Sequence, residues 1–101
     1  EIGRKNASSD ALQFAPDETT PSLLDGEVFV TGVNTKATAI TNFTDAEAGI
    51  VYTIYGNGSE NASTIASGGN FVLTEAMTLS EGKFIKLAKA ADGKFYEVAR
   101  G

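Results

Sequence analysis

The sequence predicts an all-β domain, with short antiparallel strands arranged as a small sandwich, a barrel or a β-helix-like stack, and with an extended N-terminal arm. Three observations lead there. Short runs of apolar, β-branched and aromatic residues recur with centres roughly 8–14 residues apart, the spacing of sandwiches and barrels rather than of βαβ units. The runs are punctuated by turn chemistry, above all Asp92-Gly93, a dipeptide that suits a tight hairpin because both central positions tolerate positive φ. The one stretch with helical character, Thr74 to Leu79, is too short to nucleate a helix by itself.

The elements follow in order. Residues 1–24 hold both prolines (Pro16 and Pro21), the polar run Asn6-Ala7-Ser8-Ser9-Asp10 and the acidic stretch Pro16-Asp17-Glu18-Thr19-Thr20. Their apolar residues have no clear period, so they read as a linker or extended arm, with Leu12, Phe14, Leu23 and Leu24 able to dock on a neighbour. The β domain is expected over residues 25–101. Glu27-Val28-Phe29-Val30-Thr31 is a β-branched and aromatic strand. Residues 37–43 alternate, with Thr38, Ile40 and Asn42 on one face and Ala39, Thr41 and Phe43 on the other. Ile50-Val51-Tyr52-Thr53-Ile54-Tyr55 is almost continuously apolar, which suggests burial on both faces, or burial on one and a subunit contact on the other. The Gly56-to-Asn61 turn leads to strands at 63–66, 70–74, 83–88 and 94–99, the last two joined by Ala90-Ala91-Asp92-Gly93.

Composition narrows the function. The 101 residues form one domain, and 42% are hydrophobic, enough for a core. A domain of this size buries a modest share of its surface, so small domains often lean on disulfides, metals or oligomerisation. The chain has no Cys and no His, which removes disulfides and the usual zinc ligands. Packing and self-association remain. A net charge of −5 with eight scattered Lys and Arg argues against a nucleic-acid partner and against an anionic membrane surface. No apolar run approaches transmembrane length, and no signal peptide is visible. A start at Glu1 is expected of a processed product or of a piece of a longer chain.

Reactive constellations are absent from the pattern. Asp45 with Glu47, and Glu75 with Glu81, lie in turn-like sequence and read as solvated charge rather than as an acid–base pair. With no His, a Ser or Thr nucleophile lacks its commonest base. Ser67-Gly68-Gly69 is no nucleophile elbow, and Gly56-Asn57-Gly58-Ser59 lacks the Lys and following helix of a phosphate loop. Asp92-Gly93 lacks the spaced carboxylates of a calcium loop, so no metal and no cofactor is expected. The sequons at Asn6, Asn42, Asn57 and Asn61 read as chance products of a Thr-, Ser- and Asn-rich composition. The chain is not expected to be an enzyme.

The order of these elements resembles a known type. Ile40-Thr41-Asn42-Phe43, an acidic turn to Gly49, an apolar strand, Thr64-Ile65-Ala66-Ser67-Gly68-Gly69-Asn70, then Phe84-Ile85-Lys86-Leu87 and a closing Asp92-Gly93-Lys94-Phe95-Tyr96-Glu97-Val98-Ala99-Arg100 resemble a β-strand module at the C-termini of tailed-phage virion proteins. These include tail fibres, tail spikes, head fibres and capsid-associated proteins. Lys83 to Leu87 stands where the family would carry Thr-Leu-Thr-Leu, and Glu75 to Leu79 interrupts the glycine-rich stretch. The resemblance implies a structural, often terminal and frequently trimeric module on the virion, with copies of itself and other virion proteins as partners.

Tyr52, Tyr55, Phe71, Phe84, Phe95 and Tyr96 supply more aromatic surface than so small a core needs, and are the candidate interface or surface-binding residues. The alternative function is a binding module that packs these rings on a host surface glycan. The position of the aromatics discriminates the two: burial between subunits favours assembly, and a solvent-facing row favours recognition.

Overall fold

The computed structural model describes residues 12–101, and among them there is no helix. The nine strands are β1 (Leu12–Gln13), β2 (Val28–Val30), β3 (Thr38–Ile40), β4 (Val51–Tyr55), β5 (Ser63–Ile65), β6 (Phe71–Val72), β7 (Met77–Leu79), β8 (Phe84–Lys89) and β9 (Phe95–Arg100). They form a six-stranded sheet ordered β1-β2-β4-β8-β9-β6 and a three-stranded sheet ordered β3-β5-β7. The chain is the expected small all-β sandwich, with pairing that is mixed rather than antiparallel throughout. β4/β8, β8/β9 and β5/β7 are antiparallel, while β1/β2, β2/β4, β3/β5 and β6/β9 are parallel.

Three of the parallel pairs, β1/β2, β2/β4 and β3/β5, have a common origin. The chain crosses from the larger sheet to the smaller and back, so that β2 and β3 make one coil and β4 and β5 the next. Val28 pairs with Thr53 and Thr38 with Ser63, in both cases a residue 25 positions further on. A shorter first coil lies outside them: Leu12 pairs with Phe29 on the large sheet, and Ser22 bridges Thr44 in parallel on the small one. This is the winding of a β-helix. The β8–β9 hairpin and β7 close it on the other side by antiparallel pairing.

The first coil moves the domain boundary. Residues 12–24, expected as part of an arm ending at 24, are built into the sandwich. Phe14 N–H donates to Val30 O at 2.9 Å, Leu23 N–H to Thr44 O at 2.9 Å and Thr41 N–H to Thr19 O at 2.8 Å. The side chains of Phe14 and Leu23 are buried in the core, Phe14 against Phe29 and Phe43, whereas Leu12 and Leu24 stay exposed. Residues 1–11 of the expected arm lie outside the described residues.

One core fills the space between the sheets. Phe29, Tyr52 and Ile54 point inward from β2 and β4, Ile85, Leu87 and Phe95 from β8 and β9, and Ile40, Ile65, Met77 and Leu79 from the small sheet. Aromatic rings run through it in a chain: Phe29 stacks on Phe14 at 5.4 Å, Phe14 meets Phe43 at 5.9 Å, and Phe43 sets its edge against Phe71 at 5.7 Å and Phe95 at 5.4 Å. Such offset and edge-on geometries add to the area term that dominates burial. β7 arises in Thr74 to Leu79, the one stretch with helical character. Pairing of Met77–Leu79 with β5 buries Met77 and Leu79 on the core side and leaves Thr78 outside, and that tertiary gain outweighs a six-residue helical tendency.

Backbone demands are met locally. The hairpin turn closes with Gly93 N–H to Ala90 O at 3.1 Å and Ala90 N–H to Lys94 O at 2.9 Å, and Gly93 adopts a φ of 89°, as the Asp-Gly signal requires. Asp17, Asp25 and Asp45 turn corners of the coils with φ near 60°, a region that Asp visits more readily than most residues because its short carboxylate bonds nearby backbone.

Candidate interaction surface

Polar side chains stitch the coils together at the corner between the sheets. The Asn34 amide is nearly fully buried; its Nδ2 donates to Asn61 O at 2.8 Å and Ser63 Oγ at 3.0 Å, and its Oδ1 accepts from Asp17 N–H at 2.8 Å. One side chain therefore ties all three coils. Asn57 forms a second ladder: its Nδ2 donates to Gly32 O at 2.7 Å and to Thr31 O, and Gln13 Nε2 donates to the same Thr31 O at 3.3 Å. Asp17 accepts from Thr35 through both carboxylate oxygens, at 2.8 and 2.7 Å, and those bonds hold its pKa below the ordinary carboxylate range. Asn57 and Asn61, two of the sequon residues, are thus committed to the corner.

A second polar cluster pins β9 to the segment before β7. Arg100 donates from Nε to Glu97 Oε2 at 2.7 Å and from Nη2 to Glu97 Oε1 at 2.9 Å, a two-point pair. The same guanidinium reaches Glu75 O at 2.7 Å, and Glu97 Oε1 accepts from Thr74 N–H at 2.9 Å and Thr74 Oγ1 at 3.0 Å. With Arg100 as the main cause and Thr74 adding to it, the Glu97 carboxyl is held down at about 2. Both clusters bind loop backbone to strand. Among the described residues no group of three or more His, Cys, Asp or Glu converges as a metal site would require. A shallow open groove of about 400 Å³ beside Ala39, Thr41, Thr64, Ser67, Gly69 and Phe71 carries hydroxyls but no titratable side chain.

The six candidate aromatics separate into two groups. Tyr52, Phe71 and Phe95 are core residues and are not open to a ligand, since their positions in β4, β6 and β9 face the small sheet. Tyr52 Oη finds its partner inside, accepting from Glu47 N–H at 2.8 Å. Phe95 packs on Phe71 at 5.6 Å, with Lys89 Nζ 4.6 Å from its ring centre. Much of the aromatic surplus is therefore spent on a core that also draws in Phe14, Phe29 and Phe43. Tyr55, Phe84 and Tyr96 lie on the other side. Tyr55 and Phe84 pair across β4 and β8 with ring centres 5.6 Å apart, and Tyr96 Oη donates to Asp92 Oδ2 at 2.6 Å. That bond lowers the pKa of Asp92 and raises that of Tyr96.

These three belong to a larger surface that the sequence reading did not assemble. On the outer face of the six-stranded sheet the register sets Val30, Tyr55 and Phe84 in one row, Val28, Thr53, Lys86 and Ala99 in the next, and Val51, Ala88, Tyr96 and Val72 in the third. All are exposed or half-exposed, and Lys86 is the single charge among them. A half-covered sheet ordinarily alternates apolar inside with polar outside. This face is apolar on both sides. The signal was present in Ile50 to Tyr55, whose near-continuous apolar run raised the subunit contact, but Val28, Val72 and Ala99 could join it only once the strand order was known.

No family model, curated protein or solved structure matches the chain.

Proposed function

We propose that this chain is a non-catalytic structural module of a tailed-phage virion, a fibre, head-decoration or capsid-appended domain that acts in assembly and surface display. Its partners are other virion proteins and further copies of itself, and the resemblance taken alone implies three of the latter. The observation that carries the reading is the open, apolar outer face of the six-stranded sheet. Contiguous apolar surface of this kind marks an interaction site, and an exposed sheet face suits a protein neighbour better than a small substrate, which binds in concave sites. The ordered ionisable groups support the same reading, because Asp17, Asp92, Glu97 and Arg100 are engaged in holding loops. The acidic balance fits protein partners better than nucleic acid or an anionic membrane.

The test is absolute mass in solution by light scattering across a dilution series. A stable oligomer of the isolated chain supports the assembly reading, and a monomer at every concentration removes self-association from it. A second reading rests on the adjacent rings of Tyr55 and Phe84, which could pack on a sugar face of a host surface glycan. Titration with bacterial surface polysaccharide, followed by amide chemical shifts, tests it: saturable shifts confined to β4 and β8 would favour recognition over assembly.

A further inference from the structure

We infer that two copies of this chain pair face to face through the outer surface of the six-stranded sheet, about a two-fold axis that runs along the strands between β4 and β8. The inference rests on the self-association proposed above and replaces the stoichiometry that the resemblance implies, since a two-fold contact closes at two copies.

The register carries the argument. Such an axis lays β4 of one copy over β8 of the other and keeps each row opposite itself in reverse order. Tyr55 then meets Phe84 of the second copy, Val51 meets Ala88, and Val28 meets Ala99. Large side chains oppose small ones and aromatics oppose aromatics, the complementarity that lets two sheets interdigitate at about 10 Å. Lys86 meets the Thr53 hydroxyl rather than a second ammonium directly opposite, and its four-carbon stem can lie along the apolar row. An axis across the strands instead sets Lys86 on Lys86 and Thr53 on Thr53, so it is disfavoured.

Residues 1–11 are a poor alternative cover. They bring Ile2 as their one large apolar side chain, amid Arg4, Lys5, Asn6, Ser8, Ser9 and Asp10. Five strands about 4.8 Å apart and five residues at about 3.4 Å give a face on the order of 400–500 Å², below the roughly 800 Å² per partner of a tight standard interface. The pair is therefore expected to be weak and to dissociate on dilution, with covering of Lys86 limiting it further.

Sedimentation and light scattering over a dilution series, on the full chain and three variants, test this. The wild-type mass should move from one copy to two, with its midpoint in the tens to hundreds of micromolar. Val51→Glu should hold it at one copy, with a native amide spectrum showing that the fold survives. Lys86→Met should tighten pairing about tenfold. Thr78→Glu, on the exposed side of the small sheet, should leave it unchanged. A trimer would refute the two-fold pairing and leave the assembly reading standing. Monomers for both wild type and Lys86→Met at millimolar concentration would refute both. A dimer indifferent to Val51→Glu would refute the surface.

Discussion

Replacing Asn34 by Ala probes the corner that ties the coils. The side chain is 6% exposed and engages Asp17 N–H, Asn61 O and Ser63 Oγ, one group from the first coil and two from the third. Each lost hydrogen bond removes about 0.5–1.5 kcal/mol, and a buried partner left without water costs about 1–3 kcal/mol in its place. Asp17 and Asn61 are partly buried, so some of their exposed groups recover water, and the net loss is expected at about 2–4 kcal/mol. For a domain of this size about 1 kcal/mol corresponds to roughly 4–8 °C, which places the fall in Tm at about 10–25 °C. Asn34→Asp serves as the companion variant: it keeps the acceptor for Asp17 but turns a carboxylate toward Asn61 O, so it should destabilise at least as much. Thermal and urea unfolding followed by circular dichroism would measure both, with hydrogen exchange at the Asp17 and Ser63 amides reporting whether the loss is local. A Tm within about 2 °C of wild type for Asn34→Ala would refute the view that the corner ladder holds the coils in register.

Three further outcomes are expected. Glu97 is held at about 2 in the folded chain against an ordinary value of 4.5, so its stabilising contribution is complete above about pH 5 and is lost as pH falls through 2. Because Arg100 keeps 23% of its side chain exposed, we expect solvent to limit the effect to about 1–2 kcal/mol; urea midpoints of wild type and Glu97→Gln should differ at pH 6 and converge near pH 2, and parallel curves would contradict the clasp. Deleting residues 1–24 removes Phe14 and Leu23 from the core, about 1.5–3 kcal/mol for each side chain, and should lower the Tm by more than 15 °C, whereas a loss of a few degrees would return those residues to the status of a tether. At Gly56 an added methyl would strike the backbone carbonyls of Leu79 and Ser80, so Gly56→Ala should cost about 1–3 kcal/mol in denaturant titration, and a neutral result would show that β4 and β7 are less closely apposed.

What the sequence made legible was local. The Asp-Gly turn and the start of β9 need nothing beyond their own residues, and β4 is visible as a continuous apolar run, but the register shift opposite Lys86 and Leu87 that puts Tyr96 and Ala99 on one face has no local signal. Two-residue strands such as β1 have no pattern to read. β7 was obscured because Glu75, Ala76 and Met77 are good helix formers whose strand state depends on β5, a partner in another part of the chain. Parallel pairing leaves no turn signature, so the coils were hidden. Their trace is a faint repeat: Ala37-Thr38-Ala39-Ile40 returns as Ala62-Ser63-Thr64-Ile65 at the same 25-residue displacement as the strand pairs. The role of the aromatics was ambiguous for a related reason: alternation along β4 puts Tyr52 and Tyr55 on opposite faces, but only the packing of the two sheets decides which face is the core.

The 25-residue displacement also makes the molecule's length a stepped quantity. Each coil adds one strand to both sheets at once, so growth along the stack proceeds in increments of about 4.8 Å and leaves the hairpin that closes the far side untouched. An insertion of one whole coil after β3 should be accommodated as an added storey, visible in solution scattering as a longer particle of unchanged cross-section. An insertion of half that length would set β4 one sheet out of place and forfeit the core. Evolution could thus alter this domain's reach by duplication far more readily than by extending any loop.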